Sequence, residues 1–171
     1  MTASDEDAFR DYVGARMPGW RRTAYLMCRD WHLADDLVGT VLGKLYGRWR
    51  RRSEINDVDA YVNGMLARAV IDETRRPWRR EHPVDEFPPD GAVDAADAGS
   101  VDRLTLDSYL ARLGPRRRAV LVLRFYCDLS VEETADVLGV SLGTVKSQTA
   151  RGLETLRALS LTPTPNRQVL P

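Results

Sequence analysis

Cysteine and histidine are scarce in this chain of 171 residues, and each absence removes a class of function. Cys28 and Cys127 are the only cysteines and stand far apart, so a disulfide framework is not expected and a reducing compartment fits. His32 and His82 are the only histidines, and no Cys/His cluster has metal-ligand spacing. The first residues, MTASDEDAFRDY, offer neither a basic nor an apolar stretch of the kind that opens a secretory signal. No apolar run approaches the ~20 residues that span a bilayer. No segment alternates with period two, and no repeat of solenoid length is visible. The composition therefore predicts a soluble, cytoplasmic, all-α protein without membrane contact, metal or other cofactor.

Net charge is also missing, but only as a cancellation. There are 25 Lys+Arg against 25 Asp+Glu. Residues 1–80 carry 15 basic and 12 acidic side chains, residues 81–101 none basic and 6 acidic, and residues 102–171 carry 10 basic and 7 acidic. Two basic segments flank an acidic one. Lysine accounts for 2 of the 25 cations and arginine for the other 23, a bias toward forked, stacking contacts with phosphates and bases. The acidic stretch EHPVDEFPPDGAVDAADAGSV holds three prolines and two glycines with no sustained period, and is expected to be a flexible linker. The division that follows is 1–80, a linker at 81–101, 102–160, and a tail at 161–171. The two larger pieces are expected to fold as two small, independent helical domains.

Apolar spacing places the helices. Phe9, Tyr12, Val13 and Met17 form one stripe that Pro18-Gly19 is expected to end, with Trp20, Ala24 and Met27 starting another helix. Asp30 can cap a third, whose face carries Ala34, Leu37, Val38, Val41, Leu42, Leu45 and Trp49. Arg50 to Ile55 reads as a basic exit loop, and a fourth helix begins near Asp57 and ends in RRPWRR. Beyond the linker, one short helix stops at Gly114-Pro115 and another covers Arg116 to Tyr126. In LSVEETADVLGVSLGTVKSQTARGLETL, Ser130 and Glu133 fit a capping box, Gly139 a left-handed helix end, and Ser141 a second cap. Two helices across so tight a turn make a helix-turn-helix, with Ala135 at the crossing and Val140 and Val145 packed beneath it.

Three constellations carry chemistry. The outer face of the second helix of that motif offers Thr144, Lys146, Ser147, Gln148 and Arg151, suited to phosphates, guanine and adenine in a major groove. A polar solvent face is the plainer alternative, against which the joint presence of caps, turn glycine and cations counts. Arginines interleaved with Trp49 and Trp78 suit unpaired DNA, where a ring stacks on a base for ~1–3 kcal/mol; Trp49 continues an apolar face and reads more readily as core, whereas Trp78 stands beyond the core pattern. Asp35 and Asp36 are adjacent on a helix, point apart, and have no partner nucleophile, so stabilisation of the helix dipole competes with any acid/base role.

The residues also resemble a known family. ADDLVGTVLGKLYGRWRR resembles the region 2 signature of bacterial extracytoplasmic-function sigma factors, and DAYVNGMLARAVIDETRR the promoter-melting helix that follows it. LGPRRRAVLVLRFYCDLSVEETADVLGVSLGTVKSQTARGLETLR is similar to region 4 of that family, with the sigma-E-like subgroup the nearest in appearance. The resemblance implies a non-catalytic subunit that binds core RNA polymerase and opens promoter DNA. It makes Asp35, Asp36 and Leu37 polymerase contacts. It places Arg50, Arg51, Arg52, Asn63, Arg68, Arg75, Arg76, Trp78 and Arg79 at the minus 10 element, and Thr144, Lys146, Ser147, Gln148 and Arg151 at the minus 35 element. Core polymerase and promoter DNA are the implied partners, an anti-sigma factor a further one, and the free chain is expected to be a monomer. The competing functions are a stand-alone helix-turn-helix regulator binding duplex DNA as a dimer, and a small helical hydrolase using Asp35 or Asp36 with a metal.

Overall fold

The computed structural model describes residues 3–75 and 101–161. Residues 76–100, which include Arg76, Trp78, Arg79 and all but the last residue of the expected linker 81–101, and residues 162–171 of the expected tail lie outside the described residues. Among the described residues seven α-helices follow in order: α1 Ala3–Cys28, α2 Trp31–Arg48, α3 Val58–Arg75, α4 Val101–Ala111, α5 Pro115–Leu121, α6 Val131–Leu138 and α7 Leu142–Leu161. A short 3-10 helix, Trp49–Glu54, follows α2, and a π turn, Val122–Tyr126, continues α5. No strand occurs among the described residues.

The first departure from expectation is α1, which runs unbroken through Pro18. Proline removes one amide and crowds the carbonyl four residues earlier, that of Gly14. Pro18 and Gly14 are both exposed, so that carbonyl is free to meet water. The inward stripe never loses step: Met17 leads to Trp20, Ala24 and Met27, the last three buried. Burial on both sides of the proline outweighs one missing hydrogen bond.

Asp30 caps α2 as expected, its carboxylate accepting from the Leu33 amide at 3.0 Å. Ala34, Leu37, Val38, Val41 and Leu45 are buried, and Trp49 after them is core at 3% exposure. The segment after Trp49 is helical rather than loop, closed by the Ile55 amide on the Arg52 carbonyl. Asp57 starts α3 by accepting from the Ala60 amide at 3.0 Å.

In the second half, α5 begins with Pro115 at its first turn, where a missing amide is free of cost. Its continuation to Tyr126 is a π turn and not a regular helix, which leaves Phe125 and Tyr126 exposed. Ser130 and Glu133 form the full capping box of α6, with both reciprocal bonds made at 3.0 and 2.7 Å. Gly139 ends α6 at φ 65°, in the region that glycine enters without strain. The Ser141 hydroxyl accepts from the Thr144 amide at 3.1 Å and starts α7. Val145 is fully buried with Val120 and Ala135, whereas Val140 is 38% exposed and does not pack beneath the turn. Val140 follows the left-handed glycine directly, and that reversal turns its side chain outward.

The helices on either side of residues 76–100 share one core, which runs from Trp20 through Leu66 and Val70 to Leu121, Leu123 and Leu129. α1 and α3 both touch the second half. The junction is polar as well as apolar. Arg118 donates to the Met27 carbonyl at 3.1 Å and to that of Leu113 at 2.7 Å. Arg29 pairs with Asp107 at 3.2 Å.

Within the second half, α5 and α7 touch at Gly152. A Cβ there would lie 2.7 Å from Leu121 Cδ1 and 3.1 Å from Arg117 Cγ. Gly152→Leu replaces a poor helix former by a strong one, so any loss comes from overpacking. It is expected to cost about 1–3 kcal/mol in chemical denaturation. A variant as stable as the parent would show that α5 yields.

Candidate nucleic-acid interface

The turn between α6 and α7 is fixed at one end by the left-handed backbone of Gly139 and at the other by the Ser141 side-chain cap, and the outward face of α7 is set by Val145. With Val145 inward, Thr144, Lys146, Ser147 and Arg151 are exposed. Gln148 is half-buried, and its Oε1 accepts from Arg117 Nε at 3.4 Å. The five residues lie within two turns of one helix. Lys146 and Arg151 carry no ion pair among the described residues, which leaves both cations available to an anion.

The arginine-rich exit from α2 is divided in its duties. Arg50 and Arg51 are exposed. Arg52 turns back: it donates to the Trp49 carbonyl at 3.1 Å, lies 4.9 Å over the Trp49 ring, and pairs with Asp5 at 3.6 Å. Arg48, the first arginine of the same run, stands over the Tyr61 ring at 5.7 Å. On α3, Arg68 and Arg75 are exposed, while Asn63 is half-buried and its Oδ1 has no hydrogen-bond partner among the described residues. Of the arginines expected at the minus 10 element in the described part of this half, the exposed ones thus line α3 and the segment that leads into it.

The acidic pair of α2 divides too. Asp35 is held in a forked ion pair, Arg21 Nε at 2.5 Å and Nη2 at 2.9 Å. The Arg21 hydrogen bond keeps the Asp35 carboxyl below the ordinary carboxylate value, and desolvation opposes this only in part. Arg21 also stands 5.7 Å over Trp31, whose ring stacks on Tyr25 at 4.1 Å. Asp36 is exposed and its carboxylate is unpaired among the described residues. Leu37, expected beside them, is 8% exposed and anchors α2 on the core from beneath. No group of three or more His, Cys, Asp or Glu side chains among the described residues could hold a metal, so the hydrolase alternative finds no ligand set there. Both thiols are free and pushed up by burial, Cys127 to about 11. Among the described residues no helix is long and apolar enough to cross a membrane.

Comparison with known proteins decides the family. Residues 103–156 match the family described as Sigma-70, region 4. Over 153 residues the chain is 39% identical to the RNA polymerase sigma-E factor of Streptomyces avermitilis, covering 87% of this chain and 83% of that protein. The chain belongs to the extracytoplasmic-function sigma factors. The sigma-E factor of Streptomyces coelicolor is 38% identical over the same length, covering 84% of that protein. The fold is shared with the sigma factor RpoE of Bartonella quintana, solved with the anti-sigma factor NepR, at a TM-score of 0.73 and 22% identity over 92% of this chain and 99% of that one. In this sigma factor the region 4 match begins within α4 and ends within α7, taking in the whole helix-turn-helix.

Sequence reasoning missed Arg21, Arg117 and Arg118. Their partners lie 14, 31 and 91 residues away, and no periodicity links such distances.

Proposed function

We propose that this sigma factor acts in the cytoplasm as a subunit without chemistry of its own, binding core RNA polymerase through the start of α2 and directing initiation at promoters. The observation that carries this is the match to sigma-E factors along nearly the whole chain. Residues 1–80 take the polymerase and the minus 10 element, and residues 102–160 the minus 35 element. Asp35 and Asp36 supply the polymerase contact. Arg50, Arg51, Arg68 and Arg75 provide the exposed cations for opened DNA, with Arg52 and Asn63 set deeper. An anti-sigma factor is a further partner, supported by the relative of the same fold that was solved with one. Transcription with purified core enzyme on a random promoter library tests the whole, and a library left unenriched sinks it.

The minus 35 assignment has its own test. Lys146→Ala and Arg151→Ala are each expected to weaken DNA binding at all sequences if they touch phosphate, and to lower the salt slope by about one. Gln148→Ala is expected to relax preference at one position, by ~1–3 kcal/mol of discrimination, more than it lowers affinity. Titrations against selected and scrambled duplexes at several salt concentrations check both. Three variants that bind both duplexes like the parent would remove α7 as the reader.

A further inference from the structure

Arg117 and Leu121 of α5 pack against bare backbone at Gly152 of α7, where a Cβ would stand 3.1 Å from Arg117 Cγ. Gln148 is one turn earlier on the same face, because residues four apart stack along a helix. Arg117 reaches it across the glycine: its Nε donates to Gln148 Oε1 at 3.4 Å, and both side chains are half-buried. A guanidinium has donors only, so the amide atom that faces it is the oxygen. The NH2 of Gln148 is the other branch of the same planar group, and it has no partner among the described residues. The neighbouring Arg118 is turned the other way, onto the Met27 and Leu113 carbonyls, so Arg117 alone of this pair serves the reading helix.

We infer that Arg117 is a positioning residue for base reading: it draws the acceptor of Gln148 back onto α5, so that this side chain meets the major groove as a donor alone, a role that rests on the assignment of α7 to the minus 35 element proposed above. The consequence is a choice between classes of base. An unrestrained glutamine pairs with adenine through both atoms, its oxygen accepting from N6–H and its nitrogen donating to N7. That pairing needs oxygen and nitrogen aimed together at one base edge. The Arg117 bond aims the oxygen at α5, so its second lone pair does not restore the pairing. Adenine then sets its N6 amino group against the Gln148 NH2, donor against donor. Guanine instead offers O6 and N7 as adjacent acceptors, and thymine offers O4, whereas cytosine offers only its N4 amino group. The position under Gln148 therefore favours the keto bases, guanine and thymine, over the amino bases, adenine and cytosine.

The test uses the full chain with core polymerase, on promoters randomised across the minus 35 element. Gln148→Ala identifies the position read, as the one whose preference it flattens. There the parent is expected to favour guanine over adenine about tenfold, or ~1.4 kcal/mol. Arg117→Met keeps a stem beside Gly152 and removes the donors. It is expected to move that position to adenine and to leave the others as in the parent. Arg117→Lys still donates to the oxygen and should return the position toward guanine. Gln148→Glu leaves Arg117 paired but replaces the NH2 by an acceptor, and is expected to favour cytosine; it probes the same geometry should Arg117→Met fail to fold. A parent that favours adenine, or an Arg117→Met variant with the parent's preference, overturns the positioning role. So does a loss at every sequence alike with the salt slope lowered by about one, which would make Arg117 a phosphate contact. Failure of the minus 35 assignment shows differently, as a library in which Gln148→Ala flattens no position, and it removes the Arg117 role with it.

Discussion

Replacing Asp35 and Asp36 together by arginine is expected to lower affinity for core RNA polymerase at least about a hundredfold, a loss of ~2.7 kcal/mol, with the fold retained. The two residues are unequal. Asp35 is already matched by the Arg21 fork, so the uncompensated outward charge belongs to Asp36. Asp36→Arg alone should therefore carry most of the loss through like-charge repulsion at a basic surface. Asp35→Arg adds to it by leaving Arg21 without its partner, so that two cations stand where a neutral pair stood. The fold survives because both side chains are exposed and the Asp30 cap is untouched; the helix-dipole cost is ~0.3–1 kcal/mol for each. The pH dependence follows from the sign of the Asp35 shift. Its carboxyl titrates below the ordinary 3.8 in the folded chain, so the stability it lends is complete above that value and lost as pH falls through the lower folded one. Between about pH 5 and 8 the charge on Asp35 is constant, and its part in polymerase affinity should be flat. Unchanged affinity of the double variant in a titration with core enzyme would remove this site.

Local features were legible in the sequence and distant ones were not. The Asp30 cap, the capping box, the αL turn at Gly139 and the inward Val145 each depend on residues within four positions of one another, and all four stand where the pattern put them. Pro18 misled because its local penalty is fixed while the burial that outweighs it depends on the partner helices. The unbroken 3–4 spacing from Met17 to Trp20 was the available signal. On α3, Gly64 and Ala67 are buried in addition to Val62, Leu66 and Val70. An amphipathic reading assigns one face to the core, and this helix spends a second face on α6. A glycine inside a strongly periodic helix is the trace such a close approach leaves in a sequence. At the site, the cations of α7 could be named because one helix presents them. The withdrawal of Arg52 onto Trp49 and the capture of Asp35 by Arg21 depend on how neighbouring helices cross.

Arg118→Ala is expected to destabilise the full chain by about 2–4 kcal/mol, a large share of the stability of a protein this size. The guanidinium reaches from α5 to the last turn of α1, whose terminal carbonyls have no partner within their own helix. Its two bonds, to the Met27 and Leu113 carbonyls, are charge-assisted, a class worth ~1.5–3 kcal/mol each, and removal leaves both acceptors buried. Two effects oppose this. Burial, and after it the nearby charge of Arg29, push the Arg118 pKa down to about 10, which means that the charged form is held at a cost. At neutral pH the group nevertheless stays protonated, so the cost is present together with the bonds and is smaller than their joint loss. Arg118→Met separates the terms: it fills much of the volume and removes the desolvation cost, yet leaves both carbonyls unpaired, and should still destabilise. Arg118→Lys keeps the charge but lacks the planar fork that serves two acceptors at once, so its loss should fall between parent and alanine. Urea unfolding of the full chain, followed by circular dichroism, measures the series. Because the bond to Met27 crosses between the halves, the alanine variant should also be more extended in scattering before it unfolds. If alanine and methionine both lay within about 0.5 kcal/mol of the parent, the level of a neutral surface change, this arginine would not be the clasp between α1 and α5.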